Sequence, residues 1–282
     1  MSPSTRFTDL VGCELPIQLA AMGGVGSTEL AAAVAAAGGM GMVPRRVEPV
    51  ADACGVNFLM PFNPSLEDVA EKATKSRVIE FFYGDPRRDL VDAVHAGGAL
   101  AGWQAGSADE ALAAQTCGCD YVVVQGTEAG GHVRGTQRLD EVLTAARAVV
   151  TIPILAAGGI ATARRVAEVM ALGADGVRVG TRFVTCPGSA AHPEYVRRLL
   201  AATGDETVVT EWFNEGWEGA PHRVLRSALE AAQGSGWRAT TPPHRGIDRA
   251  ADEAMYAGLG VGDVIAIESA ATVVADLVGE LS

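Results

Sequence analysis

A single histidine, His132, sits a few glycine-rich positions beyond an apolar run: Asp120 to Thr136 reads DYVVVQGTEAGGHVRGT. Tyr121 to Val124 have the β-branched and aromatic composition of a strand buried on both faces. Gly130 and Gly131 then soften the turn that carries His132. An imidazole titrates near neutral pH, so at such a position it can take a proton from carbon or return one. An isolated loop histidine is more often decoration, so its neighbours must decide. Two amides, Asn57 and Gln104, lie in or at the end of other apolar runs. Buried there, an unpaired polar group is costly, so each must bond the protein's own backbone or the donor and acceptor edge of a flat heterocycle. Gly158-Gly159 and Gly180-Thr181 also follow apolar runs and lead toward helices. Backbone without side chains can approach an anion there, N–H groups and a helix dipole can bind it, and Thr181 adds a hydroxyl. Singly, each pair is an ordinary tight turn; on adjacent strands, the two make a phosphate site an equal contender.

The elements that must position these residues recur in order. Ile17 to Met22 reads as a strand, with Gly23-Gly24 after it and Ser27 as the N-cap of an alanine-rich helix ending at Gly38-Gly39. Further strands are expected at Met40–Val43, Val56–Met60, Val78–Tyr83, Ala99–Gln104, Tyr121–Gln125, Ile154–Ala157 and Gly176–Val179. Helices are expected after most of them, with Ser65 and Ser107 as caps. Eight strands alternating with helices predict an α/β fold, a (β/α)8 TIM barrel, with an open doubly wound sheet as the alternative. In a barrel the carboxyl ends of the strands form the active rim, which gathers Met22, Gly23, Asn57, Gln104, His132 and the two glycine turns. One unit is thin: PRRVEPVADACG holds at most a short helical turn. The barrel is expected to occupy residues 1–202. Residues 203–282 are expected as an irregular extension packed on it, with His222 and His244 as surface or tail residues, like His95 and His192. Ile247–Tyr256 and Ile265–Leu281 read as two closing helices.

The formal net charge of −12 argues against nucleic-acid and anionic-membrane partners but not against an anionic small molecule. MSPSTRFTDLVGCELP lacks the basic-then-apolar order of a signal peptide, and no apolar run approaches the ~20 residues of a membrane span. The five cysteines, Cys13, Cys54, Cys117, Cys119 and Cys186, are odd in number and scattered, which fits a reducing cytoplasm. Cys117-Gly118-Cys119 is too tight for the usual zinc spacing, and no metal site is expected. A phosphate site, two rim amides and a histidine together suggest a nucleotide-like cofactor, most economically FMN. The GxGxxG dinucleotide unit with a downstream acidic ribose ligand is not evident.

QGTEAGGH (Gln125–His132), PILAAGGI (Pro153–Ile160) and ALGADGVRVGTRF (Ala171–Phe183) closely resemble the nitronate monooxygenase family, formerly called 2-nitropropane dioxygenases. PIQLAAMGGVGSTELAAAVAAAGGMGMV and GVNFLMPF are similar to that family's first three strands, and the flavin-dependent enoyl-acyl-carrier-protein reductases share the pattern. The resemblance spans Pro16 to Phe183 and continues weakly in GAPHRVLRS and MYAGLGVGDV. It implies an FMN-binding TIM barrel in which Met22, Gly23, Asn57 and Gln104 face the flavin, with Gly131 beside it. Gly158, Gly159, Gly180 and Thr181 would hold the phosphate, and His132 would be the catalytic acid/base. The implied reaction oxidises an alkyl nitronate or similar carbon acid with O2. The alternatives are NAD(P)H-dependent reduction of an enoyl thioester or quinone, and a flavin-free barrel for a phosphate ligand. The implied partner is a small-molecule substrate, with a homodimer left open. Ala21 stands where the family usually has proline, Val133 looks inserted after the histidine, and the chain beyond Thr185 is unusual, which leaves the substrate class open.

Overall fold

Short runs of Val, Ile, Leu, Phe and Ala, buried on both faces, are the strands of the computed structural model, which describes residues 4–50, 54–248 and 250–281. In chain order they are β1 (Ile17–Leu19), β2 (Gly41–Pro44), β3 (Cys54–Leu59), β4 (Val78–Phe82), β5 (Leu100–Ala105) and β6 (Tyr121–Gln125). There follow a two-residue strand β7 (Gly131–His132), then β8 (Ile154–Ala157), β9 (Gly176–Val179), β10 (Thr207–Thr210) and β11 (His222–Leu225). Eight of them form a parallel sheet in the order β1-β9-β8-β6-β5-β4-β3-β2. Leu19 N–H donates to Met40 O at 2.9 Å and Met40 N–H to Ile17 O at 2.8 Å, bringing β1 back to the start of β2. The sheet is therefore a nearly closed (β/α)8 barrel, as the repeat of strands and helices predicts.

The helices begin where short polar side chains can satisfy their first N–H groups. Ser27, Ser65, Ser107 and Thr162 each accept from a backbone N–H three residues on. Their apolar faces and the outward-facing strand residues make the main core, including Leu30, Val34, Val69, Leu90, Val94 and Leu143. A second core fills the barrel base. The chain before Pro16 is more than a polar lead: Arg6–Val11 is helical, and Phe7 and Val11 pack against Met42, Val78, Tyr121, Val123 and Leu155. Arg6 fastens this helix by a two-point ion pair with Asp175, at 2.7 and 2.6 Å.

The tail departs most from the sequence expectations. β10, β11 and β7 form an antiparallel sheet, so His132 lies on a strand rather than a free glycine turn. Helices follow at Pro193–Ala201 and Arg226–Ser235. The expected helix Ile247–Tyr256 is absent over its described residues; Arg249 lies outside them, as do residues 51–53 of the thin unit. Its backbone bonds the hairpin instead: Leu225 N–H donates to Met255 O at 2.8 Å, and Tyr256 bridges Val224. Partners distant in sequence here override local helix propensity. The last helix is shorter than expected, Ala270–Leu277, because Ser269 caps it; Ile265 and Ile267 before it are 82% and 60% exposed. No helix among the described residues is long and apolar enough to cross a membrane.

Candidate active site

The carboxyl ends of the barrel strands open into a cavity of about 810 Å³. Met22 and Gly23 follow β1, Asn57 lies in β3, Gln104 in β5, Gly131 and His132 in β7. Gly158-Gly159 follow β8 and Gly180-Thr181 follow β9. All ten of these sequence-selected residues line this cavity. Arg45, Arg46 and Arg178 line it too, with Arg45 paired to Asp68 and Arg178 to Glu80, and no carboxylate lines it among the described residues.

The floor is a polar network that sequence reasoning did not foresee. Arg178 of β9 is ion-paired with Glu80 of β4, their side chains 4% and 0% exposed. The same guanidinium donates to Gln18 Oε1 at 2.9 and 2.6 Å and to Gln104 Oε1 at 2.6 Å. Tyr121 donates to Glu80 at 2.9 Å and Asn57 Nδ2 to Glu80 Oε1 at 3.1 Å. These bonds orient the two rim amides. Gln104 spends its oxygen on Arg178 and keeps its NH2 as a donor. Asn57 spends a hydrogen on Glu80 and keeps its carbonyl as an acceptor.

Above this floor, His132 is held in an aromatic cluster. Its ring stacks on Trp217 at 3.8 Å between centroids and 15° between planes. Tyr83, Tyr256 and His222 surround it at 5.9, 5.7 and 5.2 Å. Gln125 Nε2 donates to His132 O at 3.0 Å, fixing the strand that carries the ring. Burial, then repulsion from His222, pushes the His132 pKa down to about 3, so the ring is a neutral base at pH 7. Its Nε2, His222 Nε2 and Gln125 Oε1 are all buried without a hydrogen-bond partner.

Residues 48–278 match the family model for nitronate monooxygenase. The chain belongs to this family. Nitronate monooxygenases are flavin-dependent oxidoreductases, and this chain is therefore an enzyme of that kind. Two curated relatives bracket it. One, the (3aS,4S,5R,7aS)-5-hydroxy-7a-methyl-1-oxo-octahydro-1H-indene-4-carboxyl-CoA dehydrogenase of Mycobacterium tuberculosis, is 34% identical over 83% of this chain and 70% of the relative. The nitronate monooxygenase of Pseudomonas aeruginosa is 28% identical over 79% of this chain and 81% of its own. Among solved structures, FabK from Thermotoga maritima superposes with a TM-score of 0.83 at 26% identity, covering 99% of this chain and 96% of that one. Nitroalkane oxidase from Streptomyces ansochromogenes gives 0.78 at 27% identity, covering 98% of each.

The cavity of this nitronate monooxygenase family member fits a flavin. A Cβ at Gly23 would meet nothing within 4 Å, and at Gly180 nothing nearer than 3.4 Å, so both leave room for a ligand. Gly158 and Gly159 turn with φ of +124° and +67°, which side chains resist, and a Cβ at Gly158 would reach Ala129 N at 3.1 Å. Gln125 Oε1 awaits a donor. Thr181 Oγ1 accepts from Gly258 N–H at 3.1 Å and retains its hydroxyl hydrogen. Gly258 and Gly260 line the cavity from the tail, and MYAGLGVGDV was the sequence signal for them.

The other histidines need one correction. His222, expected as a surface or tail residue though the least safely dismissed of the four, is 0% exposed and stands beside His132. The cause is register, since β11 pairs with β7 and places the two histidines opposite one another. His95 pairs with Asp120 at 2.9 Å and His192 Nδ1 accepts from Glu194 N–H at 3.1 Å. His244 lines the cavity mouth. Trp217 had no signal beyond its position in an aperiodic stretch.

Proposed function

We propose that this enzyme binds FMN and oxidises an alkyl nitronate or a related carbon acid with O2, with His132 as acid/base. One observation carries the reading: a neutral, buried-cluster imidazole and the glycine turns at 158–159 and 180–181 line the same cavity. Gly158, Gly159, Gly180 and Thr181 would hold the phosphate, where backbone N–H groups and a hydroxyl meet an anion. Asn57 and Gln104, one acceptor and one donor, would read the ring edge, with Met22, Gly23 and Gly131 against its faces. When bound, the flavin supplies the two-electron chemistry that no side chain here offers. From a neutral carbon acid such as a nitroalkane His132 would take the proton beside the nitro group, and with a nitronate it would hydrogen-bond the oxygens that carry the charge. Trp217 stacks on the His132 ring and Tyr83 meets it edge-on.

Oxygen uptake with an alkyl nitronate, without nicotinamide, tests the reading, together with the visible spectrum of the purified protein. A preparation that stays colourless after incubation with FMN would leave a flavin-free barrel. A second reading is favoured by the relative named as a carboxyl-CoA dehydrogenase and by Arg45 and Arg46 on the cavity lining. There a CoA or other thioester is the substrate, and NAD(P)H is the reductant in the enoyl-reducing case. Rapid anaerobic bleaching of the flavin by NAD(P)H, reversed by an enoyl-CoA, would support it over nitronate oxidation.

A further inference from the structure

We propose that His222 is a positioning residue for His132: its Nε2 accepts a hydrogen bond from His132 Nε2–H and so fixes the tautomer in which His132 Nδ1 is the free base facing the cavity. The proposal deepens the acid/base reading of His132 and rests on it.

The backbone sets the pair. His222 and His132 are directly opposite in the antiparallel β7–β11 register, which puts their side chains on one face of the small sheet. Their ring centroids are 5.2 Å apart, with planes at 58°. Arg223 secures the register by donating to Thr127 O at 3.0 and 2.8 Å, and Val133 N–H donates to Pro221 O at 2.8 Å.

The tautomer of His222 follows from its one partner. Nδ1 lies 2.9 Å from Ala220 O, a carbonyl that can only accept, so Nδ1 carries the proton and Nε2 carries the lone pair. That Nε2 and the Nε2 of His132 are both buried and unpartnered. Leaving each unpaired in a buried place is costly, and a bond between them removes that cost. Centroids 5.2 Å apart allow facing Nε2 atoms to approach within roughly 3 Å, and with His222 anchored at Ala220 O it is the His132 ring that turns. His132 lines the cavity while its Nε2 is shut away from it, so an entering substrate meets Nδ1.

In the proton transfer the C–H bond of the carbon acid breaks and its electron pair stays on the substrate. The proton goes to His132 Nδ1. The imidazolium so formed keeps its Nε2–H against the His222 lone pair, and the chain ends at Ala220 O; His222 neither gains nor loses a proton. The other titratable or charged groups around the pair are Tyr83, Tyr256, Glu211 and Arg134. Burial lowers the pKa of both imidazoles, and repulsion from His222 lowers that of His132 further, so both are neutral at pH 7 and the lone pair of His222 persists.

The test is 15N NMR of the FMN-loaded protein labelled at histidine, with His132 signals assigned by their loss in His132→Gln. Wild type should show one His132 tautomer, Nε2–H. His222→Phe should show a mixture, and His222→Gln, whose amide oxygen can accept, should restore the single form. With a neutral nitroalkane, whose C–H bond must break, His222→Phe should lower kcat by about 10- to 100-fold, the scale of losing an orienting partner, with little change in KM. His222→Gln should recover most of it. A wild-type His132 in the Nδ1–H form, or the same tautomer in wild type and His222→Phe, overturns the proposal. If the Phe variant does not fold, the wild-type tautomer and the Gln variant still decide. Resting protein reports the tautomer without turnover, so this failure is distinct from that of the acid/base reading, which unimpaired turnover in His132→Ala would show.

Discussion

The floor and the roof of the cavity treat polar groups in opposite ways. On the floor, Arg178 and Glu80 are almost wholly enclosed, yet the guanidinium is shared among Glu80, Gln18 and Gln104, and Glu80 also serves Tyr121 and Asn57. In the roof, His132 and His222 are packed by Trp217, Tyr83, Tyr256 and Phe213, and each has a buried Nε2 without a partner. A satisfied network is rigid and holds the amides above it in one orientation. An unsatisfied one stores a cost that a ligand, a proton or a ring rotation can relieve. The floor thus holds one arrangement, and the roof is free to change.

The largest effect should come from the roof. His132→Ala is expected to retain FMN, because all the residues assigned to the flavin except Gly131 lie on other elements, and to lose about 10²- to 10⁴-fold in kcat. Flavin content by absorbance and steady-state turnover check both halves. Unchanged turnover across candidate substrates would remove His132 from the chemistry. On the floor the change should be in stability first. Glu80→Gln leaves the Arg178 guanidinium buried without its carboxylate, at a cost of about 3–5 kcal/mol, whereas Glu80→Met with Arg178→Met should recover much of that. Urea unfolding at fixed flavin concentration measures it. Equal midpoints for wild type and Glu80→Gln would mean that the floor does not hold itself together through this pair.

The contrast also explains what the sequence could show. The barrel was legible because most strands are short apolar runs closed by Gly, Ser or Asn, and these local signals suffice to count eight. His132 was legible because a strand, two glycines and an imidazole lie within a dozen residues. His222 was not, since its neighbour in space is ninety residues away in sequence and only the β7–β11 register joins them. Arg178 was equally hidden. Inside an apolar strand it reads as a surface charge until Glu80, from a different strand, is seen to meet it. The helix expected over Ile247–Tyr256 failed for the same reason, because its backbone found partners in the hairpin. FMN itself was inferred from glycine turns and amides that the fold does bring together, and the mouth contributed by Gly258 and Gly260 lay in the faintest of the motifs.

A smaller effect separates the two regions by pH. The folded-state pKa of His132, about 3, lies below the ordinary 6.5. Above pH 6.5 the ring is neutral whether the chain is folded or unfolded, and it makes no difference to stability. As pH falls from 6.5 toward 3, the unfolded chain takes up a proton that the folded chain refuses. Stability is therefore lost across that window, by up to about 1.4 kcal/mol per pH unit for one such group. His222, also lowered by burial, acts in the same direction. Urea midpoints at pH 7.5 and pH 5 should fall less in His132→Asn than in wild type. An equal fall would place the acid sensitivity elsewhere.

The smallest effect is expected at Thr181, between the two regions. Its Oγ1 already accepts from Gly258 N–H, so the hydroxyl serves the protein's own backbone before any ligand. Thr181→Val deletes both that bond and the donor assigned to the phosphate while preserving side-chain volume. A net hydrogen bond is worth about 1 kcal/mol, so flavin should dissociate only about five- to tenfold more readily. If tail and phosphate share this hydroxyl, flavin-free Thr181→Val should also lose protection of the Gly258 amide from hydrogen exchange. Weaker flavin binding with unchanged Gly258 exchange would assign the hydroxyl to the phosphate alone, and unchanged binding with faster exchange would assign it to the tail.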